Sequence, residues 1–345
     1  MGEIRIAVAG AGNLCSSIVQ GVSHYARGEA LGLLHPELGG YGARDIKFVA
    51  AFDVAERKVG LDLSEAIFAK HNQAPRFALV PRLGVTVLMG PAPDAFEEGS
   101  LGAIQRASAN PVDVAKELRV AKADILLNLI SGGSDKGSFL YASAAADAGC
   151  AFLNATPSNI AGDAEIVKRF ASAKLPLAGD DVLDQVGATA LHIGLLEFLH
   201  SRGVRVDESY QLDVGGGTES INTLEKTKDT KRSIKTAAVT RHVPYEFPLV
   251  SGSTDFVDFL GNGRDSFFWV KGRGFGGVPF TLDAKLSSED APNGGSILMD
   301  AIRGLKIAKD RKMGGLCVPI CGYAFKRADR TSLASAYKAF RELTG

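Results

Sequence analysis

"IRIAVAGAGNLCSS", residues 4 to 17, decides the fold. A mostly apolar run reads as a buried strand, glycines follow at 10 and 12, and Ile18, Val19 and Val22 then recur on one face of a helix. Strand, glycine turn and helix in that order open a dinucleotide-binding unit. Gly10 allows the tight turn, Gly12 lets the backbone approach a pyrophosphate, and the helix N-terminus offers free N–H groups and a partial positive charge, so Asn13 and Leu14 join the expected cofactor-binding residues. The third glycine position holds Cys15, so the glycine motif by itself is weak and its setting strengthens it.

Working outward, "IKFVAAFD" (46 to 53), "VTVLMG" (85 to 90), "ADILLNLI" (123 to 130), "CAFLNA" (150 to 155) and "LPLAG" (175 to 179) repeat the apolar run, mostly with helix-length segments between them. Continuous apolar strands separated by helices predict a parallel sheet covered on both faces, a Rossmann-like doubly wound α/β fold. Asp53 ends the second strand, where an acidic residue binds the ribose, and its carboxylate would repel a 2′-phosphate, which favours NAD over NADP. Its distance from Gly12 is about twice the usual ~20 residues, so residues 28 to 44 are predicted to be an inserted loop. Asp53 can also serve as the N-cap of a helix over "DVAERKVG".

From about residue 203 the pattern changes. "DESYQLDVGGG", "SFFWVKGRGFGG" and "PFTLDAKLS" alternate apolar and polar residues, as a sheet with one solvated or partnered face requires. "NGGSILMDAIRGLKIAKDRK" (293 to 312) then returns to a helical period. The expected division is a nucleotide-binding domain of residues 1–189 and 291–345, with an inserted α+β catalytic and oligomerisation domain at 190–290.

The chain has 39 basic and 39 acidic residues among 345, so no global field attracts nucleic acid or an anionic membrane, and any anion binding is local. A leader pattern and a ~20-residue apolar span are missing, which places the expected location in the cytoplasm. Cysteines 15, 150, 317 and 321 read as reduced core thiols. The six histidines do not suggest a structural zinc site; a monovalent or divalent cation completed by substrate stays open. "TKDTKRSIKT" (227 to 236) concentrates Lys228, Lys231, Arg232 and Lys235, with the three lysines on one helical face, so either solvent or a bound anion must compensate them. Arg264, Lys271, Arg273 and Lys326 add further cations. A lysine cluster facing a nicotinamide suits a phosphorylated substrate and developing negative charge on oxygen, and mutual repulsion would lower some lysine pKa values.

"GAGNLCSSIVQGV", "RDIKFVAAFDVAERKVGLDLSEAIFA", "GDDVLDQVGAT", "TKRSIKT", "DAPNGGSILMDAIRGLKIAKDR" and "YAFK" together resemble the myo-inositol-1-phosphate synthase family, in its shorter bacterial form, over nearly the whole chain. The resemblance implies an NAD-dependent homotetramer acting on a hexose 6-phosphate. NAD oxidises C5, a C6 enolate attacks the sugar carbonyl, and C5 is reduced again with no net redox change. It assigns Lys231 and Lys235 to the phosphate and developing oxyanions and Lys326 to the C5 oxygen. Asp290 becomes their acidic partner, and Asp180 and Asp181 the "GDD" element beside the nicotinamide. The expected sugar shell is Gly217, Thr218, Glu219 and Asn222, and it departs from the family pattern. Gly217 and Glu219 stand where Asn and Asp are usual, Arg264 where lysine is usual, and Leu183 and Asp184 where lysine and serine are typical; Arg264 cannot give up its proton as a lysine can. Glucose 6-phosphate would close a six-membered ring, whereas fructose 6-phosphate would close a five-membered one, as in carbocyclic-nucleoside biosynthesis. The altered shell favours the second slightly. A plain NAD-dependent dehydrogenase and a non-catalytic NAD sensor are the alternatives from other classes.

Overall fold

The computed structural model describes residues 2–94, 104–217, 220–221, 223–329 and 332–345. Its strands in chain order are β1 (Ile4–Ala9), β2 (Glu37–Leu38), β3 (Tyr41–Gly42), β4 (Ile46–Asp53), β5 (Val87–Met89), β6 (Ile125–Asn128) and β7 (Ala151–Asn154). They continue with β8 (Pro176–Ala178), β9 (Arg205–Gly215), β10 (Leu249–Phe256), β11 (Gly263–Arg273), β12 (Pro279–Glu289) and β13 (Gly315–Leu316). Seven form a parallel sheet in the order β13-β8-β7-β6-β1-β4-β5. The order reverses beside β1, so the carboxyl ends of β1 and β6 open a crevice there.

Both faces of this sheet are covered, which is why its strands read as continuous apolar runs. Ile4, Ile6 and Val8 of β1 pack with Ile297, Leu298, Ile302 and Leu305 of the long helix Asp290–Asp310, while Ala7 and Ala9 join Tyr141 and Ala142 of the helix Asp135–Ala148 on the other side. Burial at roughly 1.5–3 kcal/mol per large apolar side chain makes these two layers the main source of stability.

The second sheet has the order β10-β9-β11-β12, with β9 and β10 parallel and the other pairs antiparallel. Val206 and Val270 of one face pack on Ile193, Leu196 and Leu199 of the helix Ala188–Ser201 and on Val239 of the helix Lys228–Thr240. The chain then returns through Asp290–Asp310 to β13 in the first sheet.

Three local readings change. Residues 28–44 are not all loop: they contain the β2–β3 hairpin, and the fully buried Arg303 guanidinium holds it by donating to the carbonyls of His35, Pro36 and Tyr41. No helix follows Asp53; residues 56–60 form turns ending at Gly60 with φ +91°, and the next helix starts at Leu63, capped by Asp62. Strands β10 and β13 lie where the sequence shows no strand pattern. "LVSGSTDF" is polar and carries a glycine, and a two-residue strand has no period to detect. No helix among the described residues is long and apolar enough to cross a membrane.

Candidate active site

The glycine turn leaves its backbone open to approach. Gly10 has φ +95°, and a Cβ there would meet the Leu129 carbonyl oxygen at 2.6 Å, so only glycine fits. A Cβ on Gly12 would meet nothing within 4 Å: open space lies against the backbone at the start of the helix Asn13–Tyr25. No side chain caps that helix, because its N-cap residue is Gly12; the Asn13 side chain accepts the N–H groups of Gln73 (2.6 Å) and Ala74 (3.0 Å). Asp53 accepts the Ala11 N–H at 2.7 Å with one oxygen and those of Val54 and Ala55 with the other. The buried Lys58 ammonium donates to the Ala11 carbonyl at 2.9 Å and stands 3.8 Å from Asp53. Cys15 is fully buried, and burial pushes its thiol up to about 12, so it acts as a small core residue.

Two cavities meet at this turn. One of about 120 Å³ is lined by Gly10, Asp53, Lys58, His71 and Tyr141; the other, of about 250 Å³, extends toward the second sheet, and both share Gly12, Asn13, Leu129, Ile130 and Ser131. Uncapped N–H groups, open space over Gly12 and an acidic residue at the end of β4 fit a dinucleotide spanning both.

Lys231, Lys235, Arg264 and Lys326 all line the 250 Å³ cavity, together with Leu14, Asp181, Asp184, Gly217 and Asp290. Three separate elements deliver these four cations. Lys231 and Lys235 are one turn apart on the helix Lys228–Thr240, Arg264 stands at the start of β11, and Lys326 follows the helix Val318–Ala324. Lys228 and Arg232 are exposed and do not line the cavity. Of the residues expected to form a sugar shell, Gly217 lines the cavity; Thr218, Glu219 and Asn222 lie outside the described residues.

Carboxylates compensate much of this positive charge. Lys235 Nζ meets Asp213 Oδ2 at 2.5 Å, Lys326 Nζ meets Asp181 Oδ1 at 3.0 Å, and the Arg264 guanidinium grips Asp290, with Nε at 2.8 Å from Oδ2. Asp181, at φ +61°, keeps its second oxygen buried without a hydrogen-bond partner. The buried Lys235 and the partly buried Lys326 are driven in opposite directions. Burial lowers the Lys235 pKa, with Arg264 and Lys326 adding to it against Asp213; for Lys326 burial is outweighed by Asp181 and Asp184, and its pKa is raised. Burial opposes ionisation of Asp181, yet Lys326, Lys231 and Lys235 hold it below the usual carboxylate range, whereas burial raises Asp184.

The structure does not bring Asp180 into this cavity. Its carboxylate, 1% exposed, accepts from Asn154 at 2.8 Å and from the Ala161 N–H, so it ties β7 to the loop beyond it and borders a separate cavity of about 660 Å³. Adjacent residues of an extended or turned segment face opposite ways, and "GDD" sends only Asp181 to the cleft. Burial pushes the Asp180 carboxyl up to about 7. Among the described residues, no group of three or more His, Cys, Asp or Glu is placed to hold a metal ion.

Comparison with known proteins adds ancestry to this geometry. The sequence profile described as myo-inositol-1-phosphate synthase matches residues 187–291. Inositol-3-phosphate synthase of Mycobacterium tuberculosis is 41% identical over 332 residues, covering 94% of this chain and 90% of that protein. The chain belongs to the myo-inositol-1-phosphate synthase family. The inositol-3-phosphate synthase of Corynebacterium glutamicum is likewise 41% identical, over 94% of this chain and 93% of the relative. The crystal structure of Ari2 superposes with a TM-score of 0.81 at 30% identity, covering 99% and 98% of the two chains. Members of this family are NAD-dependent isomerases that close a carbocycle from a hexose phosphate.

Sequence reading missed Asp213. Its signal was present: in "DESYQLDVGGG" the alternate residues Ser209, Gln211 and Asp213 are polar, and all three turn out to be buried.

Proposed function

We propose that this family member catalyses the intramolecular aldol cyclisation of a hexose 6-phosphate, with fructose 6-phosphate as its substrate. The observation that carries the reading is the convergence of Lys231, Lys235, Lys326 and Arg264 on the cavity that ends at Gly12. Gly10, Gly12, Asn13, Leu14 and Asp53 would hold NAD, which, when bound, takes a hydride from C5 and returns it after ring closure, leaving no net redox change. Lys326, kept charged by Asp181, polarises the C5 oxygen, and the unpartnered Asp181 oxygen is within the same cluster to accept the hydroxyl proton. Lys235, with its lowered pKa, removes the C6 proton once C5 is a ketone; the C6 carbanion then forms the new bond to the carbonyl carbon. Lys231 binds the phosphate, and Arg264, locked on Asp290, stabilises the alkoxide that appears as the bond closes. Two lysines pushed in opposite directions thus divide the acid–base work.

Gly217 supports the ketose. Attack on C2 of fructose leaves a hydroxymethyl arm where an aldose has hydrogen, and a Cβ on Gly217 would meet nothing closer than the Gly261 carbonyl oxygen at 3.6 Å, leaving room for that arm. The second reading, glucose 6-phosphate to inositol phosphate, is favoured by the 41% identity to inositol-3-phosphate synthases. Separate incubation with each sugar phosphate and NAD, with the product skeleton identified by NMR, tests the proposal: a five-membered ring from fructose 6-phosphate supports it, and conversion of glucose 6-phosphate alone overturns the substrate.

We further propose that residues 190–290 form a catalytic and oligomerisation domain whose sheet assembles a homotetramer. Support comes from its outer face, where Tyr210 stacks on Trp269 at 5.6 Å beside Val250 and Phe267, each more than a third exposed apart from the tryptophan. Four free, buried cysteines are in keeping with a reducing cytoplasm.

A further inference from the structure

Behind Lys235 runs a buried polar chain that the core of a sheet has no packing reason to contain. Ser209, Gln211 and Asp213 occupy alternate positions of β9, and all three are at most 5% exposed. His192, from the helix Ala188–Ser201, reaches Ser209 Oγ with Nε2 at 2.8 Å and Gln211 Oε1 with Nδ1 at 3.3 Å. That second contact commits the Gln211 amide oxygen and turns its NH2 group the other way. The NH2 group then donates to both oxygens of Asp213, each at 3.0 Å. Asp213, with no exposed surface, accepts from Lys235 Nζ at 2.5 Å. With the neutral His192 donating its Nδ1–H to Gln211, the Ser209 hydroxyl donates to His192 Nε2, and Ser209 Oγ also lies 2.9 Å from the Trp269 carbonyl oxygen on β11.

Burying a carboxylate and an amide in this way costs several kcal/mol before pairing, and a buried ion pair is weak evidence for stability. An arrangement that fixes an acceptor behind a reacting group has another use. It orients the group and stabilises the charge formed when that group takes a proton, as the carboxylate behind a catalytic imidazole does. We propose that Asp213 is the positioning residue for Lys235: held by Gln211 and His192, it aims the amine into the cavity and stabilises the ammonium formed when Lys235 removes the C6 proton. The proposal rests on the reading of Lys235 as the base.

The charged groups around Lys235 come from every element packed on it. Asp213 lies on β9 and Arg264, with its partner Asp290, on β11 and the long helix; Lys326, Asp181 and Asp184 come from the loops at the mouth of the first sheet, and Lys231 from its own helix. Only Asp213 touches the Lys235 ammonium at hydrogen-bond distance among the described carboxylates. Burial pushes His192 down to about 4, so it is neutral at working pH and acts as an anchor.

The titration that decides it needs neither cofactor nor substrate. The protonation midpoint of Lys235 is read by competitive labelling with trace acetic anhydride across a pH series, quantified at that residue by mass spectrometry. In Asp213→Asn the midpoint should fall by about one pH unit or more, a tenfold loss of proton affinity, and the acidic limb of the activity profile should move down with it while kcat falls more than KM changes. Should Asp213→Asn not fold, Gln211→Met, which keeps the ion pair and removes two bonds to it, should give a smaller fall in the same direction. An unchanged midpoint in either folded variant overturns the proposal. Full activity in Lys235→Met would instead overturn the assignment of Lys235 as base, a result the labelling experiment does not depend on.

Discussion

Replacing Gly217 with asparagine should turn the enzyme from the ketose toward the aldose. The position tolerates a side chain: its φ lies outside the left-handed region, and the nearest neighbours of a Cβ are the Gly261 carbonyl oxygen at 3.6 Å, the Asn262 amide at 4.0 Å and Gln73 Oε1 at 4.0 Å, all ordinary contacts. Folding stability should therefore change by no more than about 0.5 kcal/mol. The asparagine side chain would occupy the space assigned to the C1 hydroxymethyl arm of fructose 6-phosphate. Excluding one carbon with its hydroxyl from a fitted pocket is worth about 1–3 kcal/mol, or roughly 10- to 200-fold in kcat/KM. Both sugars at equal concentration, with NAD and either protein, give the ratio directly from the two ring products by mass spectrometry. Gly217→Asn should lower the five-ring to six-ring ratio by at least about tenfold. An unchanged ratio in a fully folded variant would refute the link between this open space and the ketose.

Three other outcomes follow from the same geometry. Lys326→Met should lower kcat by about 100-fold or more and, by leaving Asp181 buried and unpaired, destabilise the fold by about 3–5 kcal/mol; adding Asp181→Asn should restore much of the melting temperature and none of the activity. Asp180 binds its proton more tightly in the folded state, since burial raises its carboxyl from the ordinary 3.8 to about 7. Its contribution is thus most favourable below about pH 4 and is lost as pH rises through about 7, so Asp180→Asn should gain up to roughly 4 kcal/mol over wild type between pH 5 and pH 8 in urea unfolding. Gly10→Ala, forced to φ +95° with its Cβ against the Leu129 carbonyl, should cost about 2 kcal/mol or more and abolish NAD binding measured by calorimetry.

Much of the fold was legible because of one physical fact: a strand buried on both faces must be apolar throughout. "IKFVAAFD" therefore announced β4 over its observed bounds, whereas β10, polar and glycine-bearing, was recognisable only once β9 had been placed beside it. Of the site, the four-residue spacing of Lys231 and Lys235 and the position of Asp53 after a strand are local signals. The partners that set their chemistry are not. Asp213 is 22 residues from Lys235, Asp290 26 from Arg264 and Asp181 145 from Lys326, and pairings at such range depend on how the two sheets meet. The same limit explains Asp180: nothing in "GDD" tells which carboxylate faces the cleft until the hydrogen bonds of Asn154 and Ala161 claim the first one.

In the proposed reaction one site oxidises, closes and re-reduces a single sugar phosphate without releasing the hydride. Fructose 6-phosphate carrying deuterium at C5 and ¹³C at C2 and C6, turned over with unlabelled NAD, tests it in one NMR spectrum. The expected product shows a direct ¹³C–¹³C coupling between the two labelled carbons and deuterium retained at C5, with no accumulation of reduced cofactor. Stoichiometric reduced cofactor carrying the deuterium, with the two labelled carbons still uncoupled, would contradict it.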